Sequence, residues 1–357
     1  MEDSTNANKR SFSERLAGDG IICAGGYLFE MERRGYLAAG EFVPEVALEH
    51  PEVLEQVTRD FIRAGSDVAL AFTYNGHREK MRIIGKEEML EPLNRAALKS
   101  AKKVAAEKIS GEEALVAGNI SNTNIFDPND EGSKKEVRRM FEEMVGWAKE
   151  EGVDFILAET LYFKEEAEIA LDVIKQAGLP AVIMTAAFAD GGQRDCADPV
   201  QTCRELHEKG ADVVGMNCFR GPQTSYDLMG KIVSAIDGPV GSMPVAFRTT
   251  NENPTFFNLP DHCCPIHIPY DRTFPTALEA QVCNRYEMYE YAKTMKQQGV
   301  KFMGVCCGGS VIHHRAVAEA WGRNPYLSKY SPRMEKHFMY GNDPSLKKHI
   351  QEIGSEA

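Results

Sequence analysis

Cys306 and Cys307 stand side by side, and Gly308 and Gly309 follow them directly. Within a regular strand neighbouring side chains point to opposite faces, so two successive cysteines cannot serve one site from inside it. At a strand's end that constraint lifts, because glycines let the chain turn freely. The segment Val300-Lys301-Phe302-Met303-Gly304 reads as a short buried strand ending at this point. A second apolar run, Ala211 to Asn217, ends at Cys218 before the loop Phe219-Arg220-Gly221-Pro222. Three thiolates from two strand ends, with a fourth position open, describe a catalytic zinc that activates a sulfur substrate. A lone free cysteine is more simply a core residue, but the pair together with Cys218 favours the metal. His262-Cys263-Cys264-Pro265-Ile266-His267 holds more ligand types per residue. It lies in a Pro-flanked irregular interval, away from any strand tip, and reads as packing for a loop.

Positioning these groups requires a series of short apolar runs, each followed by a long amphipathic segment. The runs are Ile21–Ala24, Ser66–Thr73, Ala114–Ser121, Asp154–Thr160, Pro180–Ala186, Asp212–Cys218, Pro244–Phe247 and Lys301–Cys307. Apolar residues at helical spacing (Val46, Leu54, Val57, Phe61) mark Pro44 to Ala64 as the first intervening helix. Further helices are expected near 87–108, 133–151, 164–177, 199–209, 224–236 and 311–321. Such alternation predicts a (β/α)8 TIM barrel, whose chemistry sits at the C-terminal ends of the strands. A doubly wound open sheet is the competing fold, but Gly25-Gly26 after the first strand is no dinucleotide fingerprint.

The strand ends then give an inventory. Ala24, Gly25 and Gly26 come from the first, Phe72, Thr73, Tyr74 and Asn75 from the second. Asn119 and Ser121 follow from the third, Glu159 from the fourth, Thr185 from the fifth, Asn217 and Cys218 from the sixth. Glu159 closes the apolar run Phe155-Ile156-Leu157-Ala158, so its charge must meet a partner or a ligand. A substrate ammonium and a salt bridge within the rim both satisfy it. Bare backbone at Gly25-Gly26 suits a carboxylate, or simply a tight turn. His313 and His314 open the last barrel helix and are expected at solvent or at the helix cap. Residues 248–284 break the rhythm and read as a long loop over the barrel mouth. Residues 1–322 form the barrel in this reading. Residues 323–357, with Tyr326, Tyr330, Phe338 and Tyr340, form a C-terminal oligomerisation arm that packs on a neighbouring subunit.

The chain's 357 residues, 43% of them hydrophobic, suffice for one large core. A net charge of −12 and a pI near 5.4 leave no basic stripe for nucleic acid. No apolar run reaches the ~18 residues of a membrane span, and the first residues lack a signal core. Nine cysteines without disulfide spacing point to a reducing, cytoplasmic setting.

These residues together resemble the homocysteine S-methyltransferase family, with the betaine-dependent branch nearest. The likeness runs through Gly25-Gly26-Tyr27, Glu32 to Tyr36, Pro44-Glu45, Glu49-His50-Pro51 and Phe61 to Ser66. It continues through Phe72-Thr73, Leu115 to Gly118, Ala158-Glu159, Glu165-Glu166-Ala167, Asn217-Cys218 and Gly304 to Gly308, covering about 12–322. The resemblance implies Zn2+ held by Cys218, Cys306 and Cys307, and homocysteine as methyl acceptor. It further implies that Gly25 and Gly26 receive the homocysteine carboxylate and Glu159 its ammonium. A methyl-onium donor would lie near Phe42, Phe72, Thr73, Tyr74 and Asn75, where a cation meets aromatic faces. A homo-oligomer, dimer or tetramer, is expected. The sequence departs from the family pattern at Ala24, where an Asp is usual, and at Thr160, where a Tyr is usual. Phe42, Tyr74 and Asn75 replace a Trp, a Phe and a Tyr, so the donor's surround is thinner and more polar. Betaine, dimethylsulfoniopropionate and S-methylmethionine are the donors considered. The alternatives are a different thiol acceptor on the same zinc barrel, and a zinc-binding barrel without methyl transfer.

Overall fold

The computed structural model describes residues 9–260, 268 and 271–356. In chain order the first half holds α1 (Phe12–Ala17), β1 (Ile21–Ala24), α2 (Tyr27–Arg33), α3 (Val46–Glu49), α4 (Pro51–Arg63), β2 (Val68–Leu70), α5 (Arg78–Ile84), α6 (Leu90–Ala105), β3 (Leu115–Ser121) and α7 (Glu131–Glu151). The second holds β4 (Phe155–Leu161), α8 (Lys164–Ala177), β5 (Ala181–Thr185), α9 (Pro199–Glu208), β6 (Val213–Asn217), α10 (Pro222–Ala235), β7 (Val240–Met243), α11 (Arg285–Gln298), β8 (Phe302–Val305), α12 (Val311–Ala320) and α13 (Lys348–Glu356).

The strands form one eight-stranded sheet in the order β1-β8-β7-β6-β5-β4-β3-β2, parallel throughout. This is the (β/α)8 barrel expected from the alternation. Its last seam, between β1 and β2, is sealed by the two residues ahead of β2. The Ile22 amide donates to the Asp67 carboxylate at 2.7 Å, and the Asp67 amide to the Ile22 carbonyl at 2.7 Å. The Ala24 amide donates to Ser66 Oγ at 3.1 Å. A carboxylate thus stands in for a ladder carbonyl. Arg15 and Arg323 both bond Asp67 from outside the sheet.

Period-two alternation divides each strand between two cores. Ile21 and Cys23 fill the barrel with Phe155, Phe302, Leu115 and Val213. Ile22 faces the helix layer with Ile156, Val214 and Met303. Phe12 of α1 packs on Phe155, ring centroids 4.7 Å apart, and plugs the N-terminal end. The C-terminal end is thereby the open one.

Several expectations need correction. The seventh strand is Val240–Met243, not Pro244–Phe247. Pro244 has no amide to donate, and the residues after it leave the sheet: the Ala246 amide donates to the Cys307 carbonyl at 2.9 Å. The expected helix over 44–64 is broken at His50 into α3 and α4, with Pro51 opening the second. His313 and His314 do not face solvent; both are buried. His313 does serve the cap, its Nδ1 accepting the Ser310 amide at 3.1 Å, while its Nε2 donates to the Cys283 carbonyl at 2.7 Å. The described part of 248–284 lies at the mouth: Phe257 meets Phe219 at 4.7 Å between centroids, and Phe256 stacks on Phe247 at 5.6 Å. Residues 262–267, the second candidate cluster, lie outside the described residues.

Candidate active site

Cys218 follows β6 directly, and Cys306 and Cys307 follow β8. Their ligand atoms all lie within 4.8 Å of one another, with Cys218 Sγ 3.5 Å and Cys306 Sγ 4.0 Å from Cys307 Sγ. The turn that allows this is Gly308, at φ 78°, where an added Cβ would meet the Phe247 ring at 2.5 Å. Cys218 and Phe219 both sit at φ 58°, a region non-glycine residues rarely adopt. The Cys218 amide is held by the Met243 carbonyl at 2.9 Å. Burial opposes ionisation of the thiols, but Cys306 and Cys307 hydrogen-bond Cys218 and draw it down to about 5. Those same bonds hold Cys306 and Cys307 well above a free thiol.

Glu159 lies beside the thiols with only 6% of its surface exposed. Asn119 Nδ2 donates to Glu159 Oε1 at 2.8 Å, and Asn217 Nδ2 to Glu159 Oε2 at 2.9 Å. Burial pushes Glu159 up to about 8 and the charge near Cys306 adds to this, against the two asparagine donors. Asn217 also accepts the Thr160 amide at 2.7 Å, donates to Thr160 Oγ1 at 2.8 Å and approaches Cys306 Sγ at 3.7 Å. Thr160 is at φ 57°, where the β4–β5 register shifts between Ala158 and Leu161. The bulge and Asn217 together set the end of β4.

Glu159, Cys306 and Cys307 share the wall of a small cavity with Gly25, Gly26, Tyr27, Leu28, Leu70, Phe72, Tyr74 and Asn119. The structure thus brings most of the expected site residues together. Thr73 is buried, its hydroxyl donating to the Asn119 carbonyl at 2.6 Å, outside the lining. Phe42 and Asn75 also stand outside it, and Asn75 Nδ2 donates to the Phe42 carbonyl at 3.3 Å. Burial lifts the Tyr74 phenol well above its usual range, and its hydroxyl accepts from Asn122 Nδ2 at 3.4 Å.

Some contributors carry no motif. Tyr27, Leu28 and Leu70 line the cavity with ordinary apolar surface. His314 is fully buried and its Nε2 donates to the Gly25 carbonyl at 3.2 Å, fixing that peptide. Nothing in its local pattern separates it from a solvent-facing helix residue. His313 had a signal, since Ser310 three residues earlier makes a capping box with it.

Residues 21–321 match the homocysteine S-methyltransferase family. Betaine–homocysteine S-methyltransferase 1 of Danio rerio is 34% identical over 339 residues, covering 94% of this chain and 81% of that protein. An S-methylmethionine–homocysteine S-methyltransferase of Pongo abelii is 32% identical over 342 residues, covering 94% and 87%. The metallated form of the homocysteine methyltransferase MmuM from Escherichia coli shares the fold, with TM-score 0.66 at 16% identity over 84% of this chain and 96% of that one. With the match running from β1 to the end of α12, and relatives alike over nearly the whole chain, this protein belongs to the homocysteine S-methyltransferase family.

Proposed function

We propose that the chain is a zinc-dependent enzyme moving a methyl group from a small onium donor to homocysteine, giving methionine. The observation that carries this reading is the convergence of Cys218, Cys306 and Cys307, the last two sharing with buried Glu159 the wall of one cavity at the C-terminal mouth. The donor set fits zinc: three soft sulfur ligands within 4.8 Å, all free of disulfides. These three cysteines would hold the ion, and when bound it supplies a substrate thiol kept as thiolate at neutral pH.

The remaining work falls to the chain's own residues. Gly25 and Gly26 let the backbone approach the substrate; a Cβ on either would meet backbone carbonyl oxygen at 2.8 Å. The Gly25 amide is engaged with the Val305 carbonyl at 3.2 Å, so the Gly26 amide is the one offered to the carboxylate. Glu159, pushed up by burial, becomes the counter-charge of the substrate ammonium. Phe72 and Tyr74 present ring faces to the donor's cation. Phe42 and Asn75 shape this side by supporting the loop after β2. The methyl carbon forms its bond to sulfur as its bond to the onium atom breaks, and a neutral amine or sulfide leaves. Holding both partners in line is the catalytic contribution.

Curated relatives use betaine and S-methylmethionine at nearly equal identity to this chain. The donor class is accordingly a small ammonium or sulfonium compound, dimethylsulfoniopropionate included. The seven described cysteines are free, which suits a cytoplasmic, reducing setting. The test is methionine formation from homocysteine with a panel of these onium donors and the zinc-loaded protein. Turnover with at least one is expected; turnover with none overturns the reading.

A further inference from the structure

Three successive residues of the loop after β2 are each held by the end of β3. The Thr73 hydroxyl donates to the Asn119 carbonyl at 2.6 Å, the Asn75 amide to Ser121 Oγ at 3.3 Å, and Asn122 Nδ2 to the Tyr74 hydroxyl at 3.4 Å. The end of β3 is held in turn by Glu166 of α8, whose Oε1 accepts both the amide and the hydroxyl of Thr123. The same carboxylate has a further partner in the Tyr162 backbone, just after β4. A carboxylate only accepts, so that partner is the Tyr162 amide. The Tyr162 ring packs on Phe219 at 5.5 Å between centroids, and Phe219 follows Cys218 directly. One side chain thus ties the loop that carries Tyr74 to the corner that carries a thiol.

Glu166 is 1% exposed, and its partners among the described residues are these uncharged groups. A buried carboxylate without a cation beside it is costly. Burial lifts it to about 6, so at neutral pH its charge is a burden on the fold. Stability gives no reason for an ionisable group here, whereas the number of acceptors does. Two acceptor oxygens serve both loops, and an amide in their place would turn an N–H toward one of them.

We infer that Glu166 is a positioning residue for the methyl donor: by joining Thr123 to Tyr162 it sets Tyr74 relative to the thiols. The inference rests on the donor reading above and deepens it. In-line transfer is sensitive to small displacements of either partner, so the groups that hold the donor's wall bear on rate without touching the donor.

The test is steady-state kinetics of the zinc-loaded protein with homocysteine and, in turn, betaine, dimethylsulfoniopropionate and S-methylmethionine. The proteins are wild type, Glu166→Gln, Thr123→Val and Thr123→Ser, each checked for zinc content and Tm. Glu166→Gln is expected to lower kcat/KM for the donor about tenfold, the worth of one hydrogen bond to a charged group, and to move the homocysteine KM by less than about twofold. Thr123→Val keeps the amide bond and loses the hydroxyl, so donor kcat/KM should fall about threefold. Thr123→Ser restores the hydroxyl and should behave as wild type. A merely structural role would lower Tm and impair both substrates alike, and that result overturns the inference. Unchanged donor kinetics in Glu166→Gln overturns it as well. Should Glu166→Gln not fold, the Thr123 pair decides by the same criteria. Hydrogen exchange of residues 71–76 separates the inference from the donor reading. If none of the onium compounds is turned over, faster exchange there in Glu166→Gln and Thr123→Val removes the donor reading and keeps the positioning. Unchanged exchange overturns the positioning.

Discussion

At the scale of single residues, the three thiols carry distinct burdens although they form one cluster. Cys306 and Cys307 share a turn after β8, while Cys218 arrives from the end of β6, two strands away, in a strained conformation. Two thiolates do not make a stable catalytic zinc site. Cys306→Ala should therefore take metal content from about one zinc per chain to well below half, read by elemental analysis after gel filtration. Full occupancy in that variant would remove Cys306 from the ligand set. On the donor side, Tyr74 lies in the cavity wall, whereas Asn75 is engaged with the Phe42 carbonyl. Tyr74→Ala should raise the donor KM about tenfold, the worth of one ring face to a partly desolvated cation. The homocysteine KM should move far less, and equal shifts in both would place the donor elsewhere.

Elements hold these residues through contacts that local patterns do not show. Glu166, in the first turn of α8, accepts the Thr123 amide at 2.9 Å and its hydroxyl at 2.8 Å, tying α8 to the loop after β3. Burial pushes this carboxyl up to about 6 against those two bonds. The folded state thus keeps its proton to higher pH than the unfolded chain does. Its contribution to stability is present at low pH and is lost as pH rises through about 6. Relative to Glu166→Gln, the wild type should lose about 2 kcal/mol between acidic and neutral pH in denaturant titrations. A constant difference between the two proteins across that range would refute it. Between strands, Gly215 abuts Gly241: a Cβ at 215 would lie 1.9 Å from the Gly241 carbonyl oxygen. Gly215→Ala should destabilise the barrel by about 3 kcal/mol, seen as a lower Tm.

For the whole molecule, the segment C-terminal to the barrel divides into an anchored part and an exposed part. Residues just beyond α12 are joined to the barrel: Arg323 donates to the Gly20 carbonyl at 2.7 Å, and Ser328 to Glu319 at 2.8 Å. Further on, Met334, Phe338, Tyr340 and Ile353 are exposed. We propose that this outer part of the 323–357 arm packs on another copy of the chain in a dimer or tetramer. Removing residues 332–357 spares the bonds to the barrel and should lower the sedimentation coefficient to that of a smaller assembly. An unchanged assembly size would show that the contact lies elsewhere.

From sequence alone, the barrel and its thiol cluster were both legible, for one physical reason: each rests on local periodicity. A buried parallel strand writes itself as a short apolar run, a covering helix as apolar residues at helical spacing, and CCGG at a run's end marks a turn that gathers sulfur. Glu159 was legible because a charge closing an apolar run needs an explanation. Relations between elements were not legible. That Pro244–Phe247 leaves the sheet to grip Cys307 depends on where β8 ends, and His314 looks like a surface residue until β1 is placed beneath it. Asn119 is one polar residue among several at strand ends. Only the closed barrel sets it beside Leu157 and Glu159 and commits its nitrogen to both. A hydrogen-bond partner from another strand is decided by register and curvature, which belong to the assembled sheet and to no single segment of the chain.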